Sequence, residues 1–129
     1  MLDVKKWMAK VTDALKVDYI VEQGTSGIWT YRKWNSGIAE CWGTYTASTA
    51  ITTSSAAYGG YRSGQITAPN FPFTFASAPT ITATSANTGG YWVNNIVSST
   101  TNAKFYLSAG SSMAAANRSV AFHVMGKWQ

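Results

Sequence analysis

Charge is the scarcest ingredient of this chain: Asp, Glu, Lys and Arg together make up only 12% of its 129 residues, about half the usual share. Ser, Thr, Asn, Gly and Ala take their place, so the surface is polar without being charged. That composition suits proteins that survive outside cells or sit densely in an assembly. The net charge of +5 comes from 10 basic and 5 acidic residues and reflects a shortage of acids as much as an excess of bases. Lys5, Lys6, Lys10 and Lys16 lie on the first segment and the other bases are scattered. In Tyr31-Arg32-Lys33-Trp34 neighbouring side chains of a strand point to opposite faces and form no single patch. Nucleic-acid binding is not expected.

Cysteine and histidine are equally scarce, with one of each, Cys41 and His123. A single Cys excludes an intramolecular disulfide framework, and its place within a strand pattern predicts a buried, inert thiol. Without other chains or distant carboxylates one imidazole cannot complete a protein-ligated zinc site, and His123 has no GxSxG elbow to serve, so it reads as a solvated or interface residue. The acids are Asp3, Asp13, Asp18, Glu22 and Glu40. A glycosidase pair needs two neighbouring carboxylates, and no spacing motif places two together. Glu40 reads instead as the cross-strand partner of Arg32 or Lys33. Gly59-Gly60 and Gly89-Gly90 lack the lysine and helix of a phosphate-binding loop. The start lacks the apolar run of a signal peptide or membrane span, so cytoplasmic synthesis without membrane insertion is expected. No enzyme, metal or cofactor is expected.

What the chain does have is the length of one domain and two kinds of periodicity. Residues 2 to 17 predict the one helix, in which Val4, Met8, Val11 and Leu15 form the seam of a short coiled coil. With β-branched residues at two of these positions the pattern leans towards three or four strands, and a homotrimer is expected. The alternatives are a helix packed on its own domain and an amphipathic helix lying on a membrane.

From residue 18 onward the pattern is that of strands. Gly27 to Gly43 holds three of the six tryptophans. It reads as a hairpin in which Trp29, Tyr31 and Lys33 alternate with Thr30, Arg32 and Trp34 before the turn Asn35-Ser36-Gly37. Trp29, Trp34, Cys41 and Trp42 are expected to pack. Residues 18 to 22 predict a first strand ended by Gly24-Thr25-Ser26-Gly27, and residues 46 to 56 a loop around a short strand. Further strands are expected over 80–84, 91–98, 104–108 and 119–128, with turns at 87–90, 99–102 and 109–117. Phe71, Phe73 and Phe75, flanked by prolines, are expected to plug one end of the fold. The expected architecture is mainly β: a helix over 1–17 forming a trimeric coiled coil, then an antiparallel β-sandwich over 18–129. Tyr58, Tyr61, Arg62, Tyr91, Trp92, Asn94 and Asn95 are the candidate ligand-binding residues, because flat apolar rings beside amides hold a sugar ring or an epitope.

The segment Asp18-Tyr19-Ile20-Val21-Glu22-Gln23-Gly24, then Trp29-Thr30-Tyr31-Arg32-Lys33-Trp34, Gly37 and Ala39-Glu40-Cys41-Trp42-Gly43, resembles the start of a C-terminal domain of tail fibre and minor tail proteins from phages and prophages of Gram-positive bacteria. Phe71 to Pro79 and the closing strand through Gly126 and Trp128 fit the same pattern, so the resemblance covers residues 18–129. It implies a trimeric sandwich similar to H-type lectins at the tip of a tail fibre or baseplate. Such a module contacts a bacterial surface glycan or protein, lies beside other tail or baseplate proteins in the virion tail, and has residues 2 to 17 as the end of its stalk. A purely structural tail component and a cell-wall glycan hydrolase are the alternatives.

Overall fold

The computed structural model describes residues 5–6 and 17–129 apart from Thr88, and excludes the side chains of Ser55 and Tyr58. The expected helix over 2–17, its seam Val4, Met8, Val11 and Leu15, and the Tyr58 ring lie outside the described residues. Among the described residues ten strands run in chain order: β1 Ile20–Ser26, β2 Trp29–Trp34, β3 Ile38–Ile51, β4 Thr53–Ser55, β5 Gly60–Arg62, β6 Ile66–Thr67, β7 Thr80–Ser85, β8 Tyr91–Ser98, β9 Ala103–Ala109 and β10 Met113–Lys127. They form two antiparallel sheets, the first ordered β1-β2-β3-β10-β7. In the second, β9 pairs with β8 along one edge and with β5 and then β6 along the other, and β4 extends it beyond β5.

The core lies between the sheets, as alternation requires of a sandwich. Trp29, Ala39, Cys41, Val120, Phe122 and Val124 enter from the first sheet and Tyr91, Phe105, Leu107 and Ala109 from the second. Phe71 and Phe75 join this cluster from the proline-flanked loop, with Phe73 packed at its margin. Their rings meet edge-on: Trp29 and Phe71 centroids are 5.4 Å apart, as are Phe71 and Phe75. The loop is tied to both sheets, since the Phe71 N–H donates to the Thr101 carbonyl and the Ala76 N–H to that of Lys127.

Three boundaries differ from the sequence reading. β1 continues through Gly24 to Ser26, and the chain reverses at Gly27-Ile28, where Gly27 takes a φ of +60°. Residues 46–51 continue β3, and residues 113–117, expected in a turn, belong to β10. The two extensions are each other's partners: Ser119 faces Thr46, Ala116 faces Thr49 and Met113 faces Ile51. Small uncharged side chains give each run a weak pattern of its own, and only their pairing satisfies the backbone of both. Arg118 fastens the ribbon, its Nε donating to the Thr49 carbonyl at 3.1 Å and its Nη2 to that of Ala114 at 2.6 Å.

Candidate functional site

The strand registers place the candidate residues on two solvent-facing surfaces and in the core. On the second sheet, β9 buries Ala103, Phe105, Leu107 and Ala109 inward and turns Lys104, Tyr106 and Ser108 outward. Trp92 and Arg62 flank Ser108 from either side, Asn94 lies opposite Tyr106, and Lys104 lies between Thr67 and Val97. Three of the expected residues, Arg62, Trp92 and Asn94, therefore share one face. Trp92 is 45% exposed. Asn94 donates through Nδ2 to the Ser108 hydroxyl at 3.1 Å, and Ser108 is fully covered although it belongs to the outer row. The Arg62 guanidinium lies over the Tyr106 ring, 4.4 Å from its centroid, within cation–π range.

Of the other candidates, Tyr91 and Tyr61 do not join this face. Tyr91, one position from Trp92, points inward and is buried. Its hydroxyl accepts the Ser119 N–H at 3.0 Å and donates to the Ser119 carbonyl at 2.9 Å, with the Asn87 side chain also in contact. It fastens β8 to β10 and is unavailable to a ligand. Tyr61 faces Ala109 and packs against the core margin. Asn95 is exposed at an irregularity in the β8–β9 pairing, with a φ of +56° that Asn tolerates better than most residues. Tyr106, Ser108 and Lys104 were missed by the sequence reading. The alternation Lys104-Phe105-Tyr106-Leu107-Ser108 carried the signal, because the apolar members of the run fix which set faces out.

The outer face of the first sheet has a different chemistry. Across β2, β3 and β10 the register sets Arg32 beside Glu40 and Met125, and Thr30 beside Trp42 and His123. The Glu40 carboxylate, only 14% exposed, receives His123 Nε2 at 2.9 Å and Arg32 Nη1 at 3.8 Å, which realises the expected cross-strand pair. Arg32 also lies over the Trp42 ring, 5.1 Å from its centroid. Trp42, and Trp34 by the same alternation, therefore stand on the outer surface, which corrects the expectation that they pack in the core. Lys33 occupies the inner set: its ammonium lies at the rim over Phe73 and Trp128, at 4.9 and 5.2 Å, and pairs with Glu22 at 2.7 Å.

Asp18 and Cys41 each have a structural setting of their own. Asp18 accepts from the Ser36 hydroxyl at 2.7 Å and the Ser36 N–H at 2.9 Å, clasping the β2–β3 turn. Those hydrogen bonds, the hydroxyl first, hold its carboxyl below the usual value of 3.8. Burial, with the Glu40 charge adding to it, pushes the Cys41 thiol up to about 12, so it stays protonated and unreactive at neutral pH. Among the described residues no group of three or more His, Cys, Asp or Glu is placed to hold a metal ion. No helix among them is long and apolar enough to cross a membrane.

No family model matches the chain, and no curated protein matches it by sequence. Solved structures do match it by shape. One is an N-truncated R1-type pyocin tail fibre, 16% identical, with a TM-score of 0.59 over 92% of this chain and 94% of that one. Another is a C-terminal part of an R1 pyocin fibre of P. aeruginosa, 15% identical, with a TM-score of 0.56, where this chain spans 31% of the longer protein. At these identities the likeness establishes the fold: a two-sheet β domain of the kind that makes up nearly all of the truncated pyocin fibre.

Proposed function

We propose that this chain is a non-enzymatic receptor-binding module of the tail-fibre or baseplate type, a virion-tail part that contacts a bacterial cell-surface glycan or protein through the outer face of its second sheet. The observation that carries this reading is the likeness to a tail-fibre end over almost the whole of both chains. Trp92 and Tyr106 supply flat apolar faces beside the amide of Asn94 and the guanidinium of Arg62, the mixture that orients a sugar ring or a peptide. In this reading residues 1–17 are the end of a stalk whose seam, Val4, Met8, Val11 and Leu15, joins three copies into a lectin-like trimer. Three linked sites then turn a weak contact per copy into useful avidity.

The test is adsorption of labelled full-length protein to a panel of bacterial cells and to a glycan array, repeated with Trp92→Ala. Adsorption to some hosts and its loss in the variant are expected. A protein that binds no cell and no glycan would overturn the reading. Light scattering on the full chain and on one starting at Asp18 checks the trimer separately: a monomeric full chain refutes the stalk.

A second reading, a structural tail or baseplate component without a ligand, is favoured by the first sheet's outer face, where Ile38 and Met125 are each more than two-fifths exposed. Residues of this kind suit contact with neighbouring subunits. Specific adsorption of the isolated protein would rule this reading out as a full account.

A further inference from the structure

We infer that the groove between the free edges of β3 and β6 is a second ligand site, shaped for a neutral saccharide. It deepens the receptor-binding reading above and takes from it the source of the sugar, a cell-surface glycan. The pairing of β2 with β3 ends at Thr30 and Trp42, while β3 runs on to Ile51. From Thr44 onward β3 is held by β10 on one side and, among the described residues, by no strand on the other. Among the same residues β6 is paired with β9 alone. A strand turns its N–H and C=O groups alternately to its two sides, so each free edge offers hydrogen-bonding groups to a ligand.

The two edges face each other across a groove of about 390 Å³, lined by residues 45–49 and 64–67. Neighbouring residues of a strand point to opposite faces, so a groove that touches five in a row meets the strand's edge. Alternation then sorts the lining into a floor and two rims. Tyr45 and Ile66 belong to the inward-facing sets, pack against the core and form the floor. Thr46 and Ser48 stand on one rim and Gln65 and Thr67 on the other, all four exposed. The volume lies at the lower end of the range for small-ligand sites, enough for a mono- or disaccharide.

None of the described residues that line the groove is charged. The Ser48 and Thr67 hydroxyls and the Gln65 carboxamide make no hydrogen bond among the described residues, so their donors and acceptors are open to a ligand. The Thr46 hydroxyl shares a hydrogen bond with that of Ser119 at 2.7 Å, and whichever of the two donates, the other keeps its own O–H. A pyranose is built to match: its ring face carries apolar C–H groups and its perimeter carries hydroxyls that both donate and accept. Laid on Tyr45 and Ile66, it reaches Thr46 and Ser48 with one edge and Gln65 and Thr67 with the other. An ionised substituent would find no opposite charge in the lining. A peptide strand is the poorer fit: the two edges belong to different sheets, so it would pair with one and leave the opposite rim unused.

The experiment titrates isotope-labelled full-length protein with the methyl glycosides of glucose, galactose, mannose and N-acetylglucosamine and follows the backbone amides by NMR. At least one glycoside should shift the amides of residues 45–49 and 64–67. Ser48→Ala and Gln65→Ala, at exposed positions without a hydrogen bond of their own, should each weaken that binding several-fold, and the double variant about tenfold. Trp92→Ala, on the outer face of the second sheet, should leave it unchanged. The methyl glucuronide should bind no tighter than the methyl glucoside. No shift in the groove at tens of millimolar of any glycoside, shifts confined to the surroundings of Trp92 and Asn94, a tighter glucuronide, or binding unaffected by the double variant overturns the inference. So does a strand-forming peptide that shifts the β3 amides where no glycoside does. Cell adsorption separates this inference from the reading it rests on. Adsorption lost with Trp92→Ala, with no glycoside in the groove, sinks the groove site and leaves the receptor-binding module standing. Glycoside binding in the groove of a protein that adsorbs to no cell does the reverse.

Discussion

Gly43 closes the Ala39-Glu40-Cys41-Trp42-Gly43 motif, and the packing gives it a role that its neighbours lack. A methyl group built on it would lie 2.2 Å from the Ile28 carbonyl oxygen and 3.0 Å from the carbonyl carbon, where ordinary contact begins near 3.4 Å. Relief requires β3 and the β1–β2 turn to separate by about 1 Å. The turn has little room to give, because the next residue, Trp29, is buried and donates its indole N–H to the Pro69 carbonyl at 3.2 Å. Overpacking a core costs about 1–3 kcal/mol. Dragging Trp29 partly out of its site adds a fraction of the 3–5 kcal/mol that its deletion would cost. We expect Gly43→Ala to destabilise by about 3 kcal/mol.

Gly64 supplies the internal control: an added methyl meets nothing within 4 Å, and the residue does not use the left-handed region. Gly64→Ala should therefore be neutral or stabilise by up to about 1 kcal/mol, through the unfolded chain's lost freedom. Urea unfolding followed by tryptophan fluorescence, at one fixed protein concentration, measures both. A Gly43→Ala variant within about 1 kcal/mol of the parent, or no less stable than Gly64→Ala, would refute the close approach of Ile28 to β3.

The adjacent residues Tyr91 and Trp92 should separate stability from binding. Tyr91→Phe takes its hydroxyl partner from the Ser119 N–H, while the Ser119 carbonyl keeps the Ala86 N–H, and should cost about 1 kcal/mol in urea unfolding while cell adsorption is kept; Trp92→Ala should do the reverse. Cys41, with its thiol pushed up to about 12, should resist a thiol reagent in the native protein at mildly alkaline pH and react on unfolding; fast native labelling would contradict its burial. Asp18 has a folded-state pKa below its unfolded one, so its contribution is present above 3.8 and is lost as pH falls through the folded value. Asp18→Asn should lower the urea midpoint near neutral pH, with the gap to the parent narrowing below pH 3.8; a gap independent of pH would show that the Ser36 clasp does not depend on charge.

How much of this was legible in the sequence follows from how local each contact is. The Arg32–Glu40 pair was readable because Asn35-Ser36-Gly37, with Gly37 at a φ of +94°, fixes the β2–β3 register within a few residues. His123 joining Glu40 was not, since it depends on the register of β10 against β3, a pairing between residues 83 positions apart. The same non-local pairing hid the extensions of β3 and β10. Alternation in β2 gave two sets of side chains without saying which faces in, because each contains a tryptophan and a base: Trp29 with Lys33, Trp34 with Arg32. The inner set was the one whose base could reach the rim, with Phe73, Trp128 and Glu22 waiting there. That partner set comes from three distant segments, and so Trp42 was assigned to the wrong face.

The face assignment matters for function because it decides what each sheet offers. With Trp42 and Arg32 outside, the first sheet presents aromatic and apolar side chains beside the Arg32–Glu40 pair. Ile20, opposite Trp34 on the edge strand, is exposed as well. In the proposed trimer this apolar face favours turning the first sheets towards neighbouring copies. There their apolar groups gain from burial. The second sheets are then left facing outward. In that arrangement Trp92, 45% exposed, stays accessible to whatever the proposed module touches.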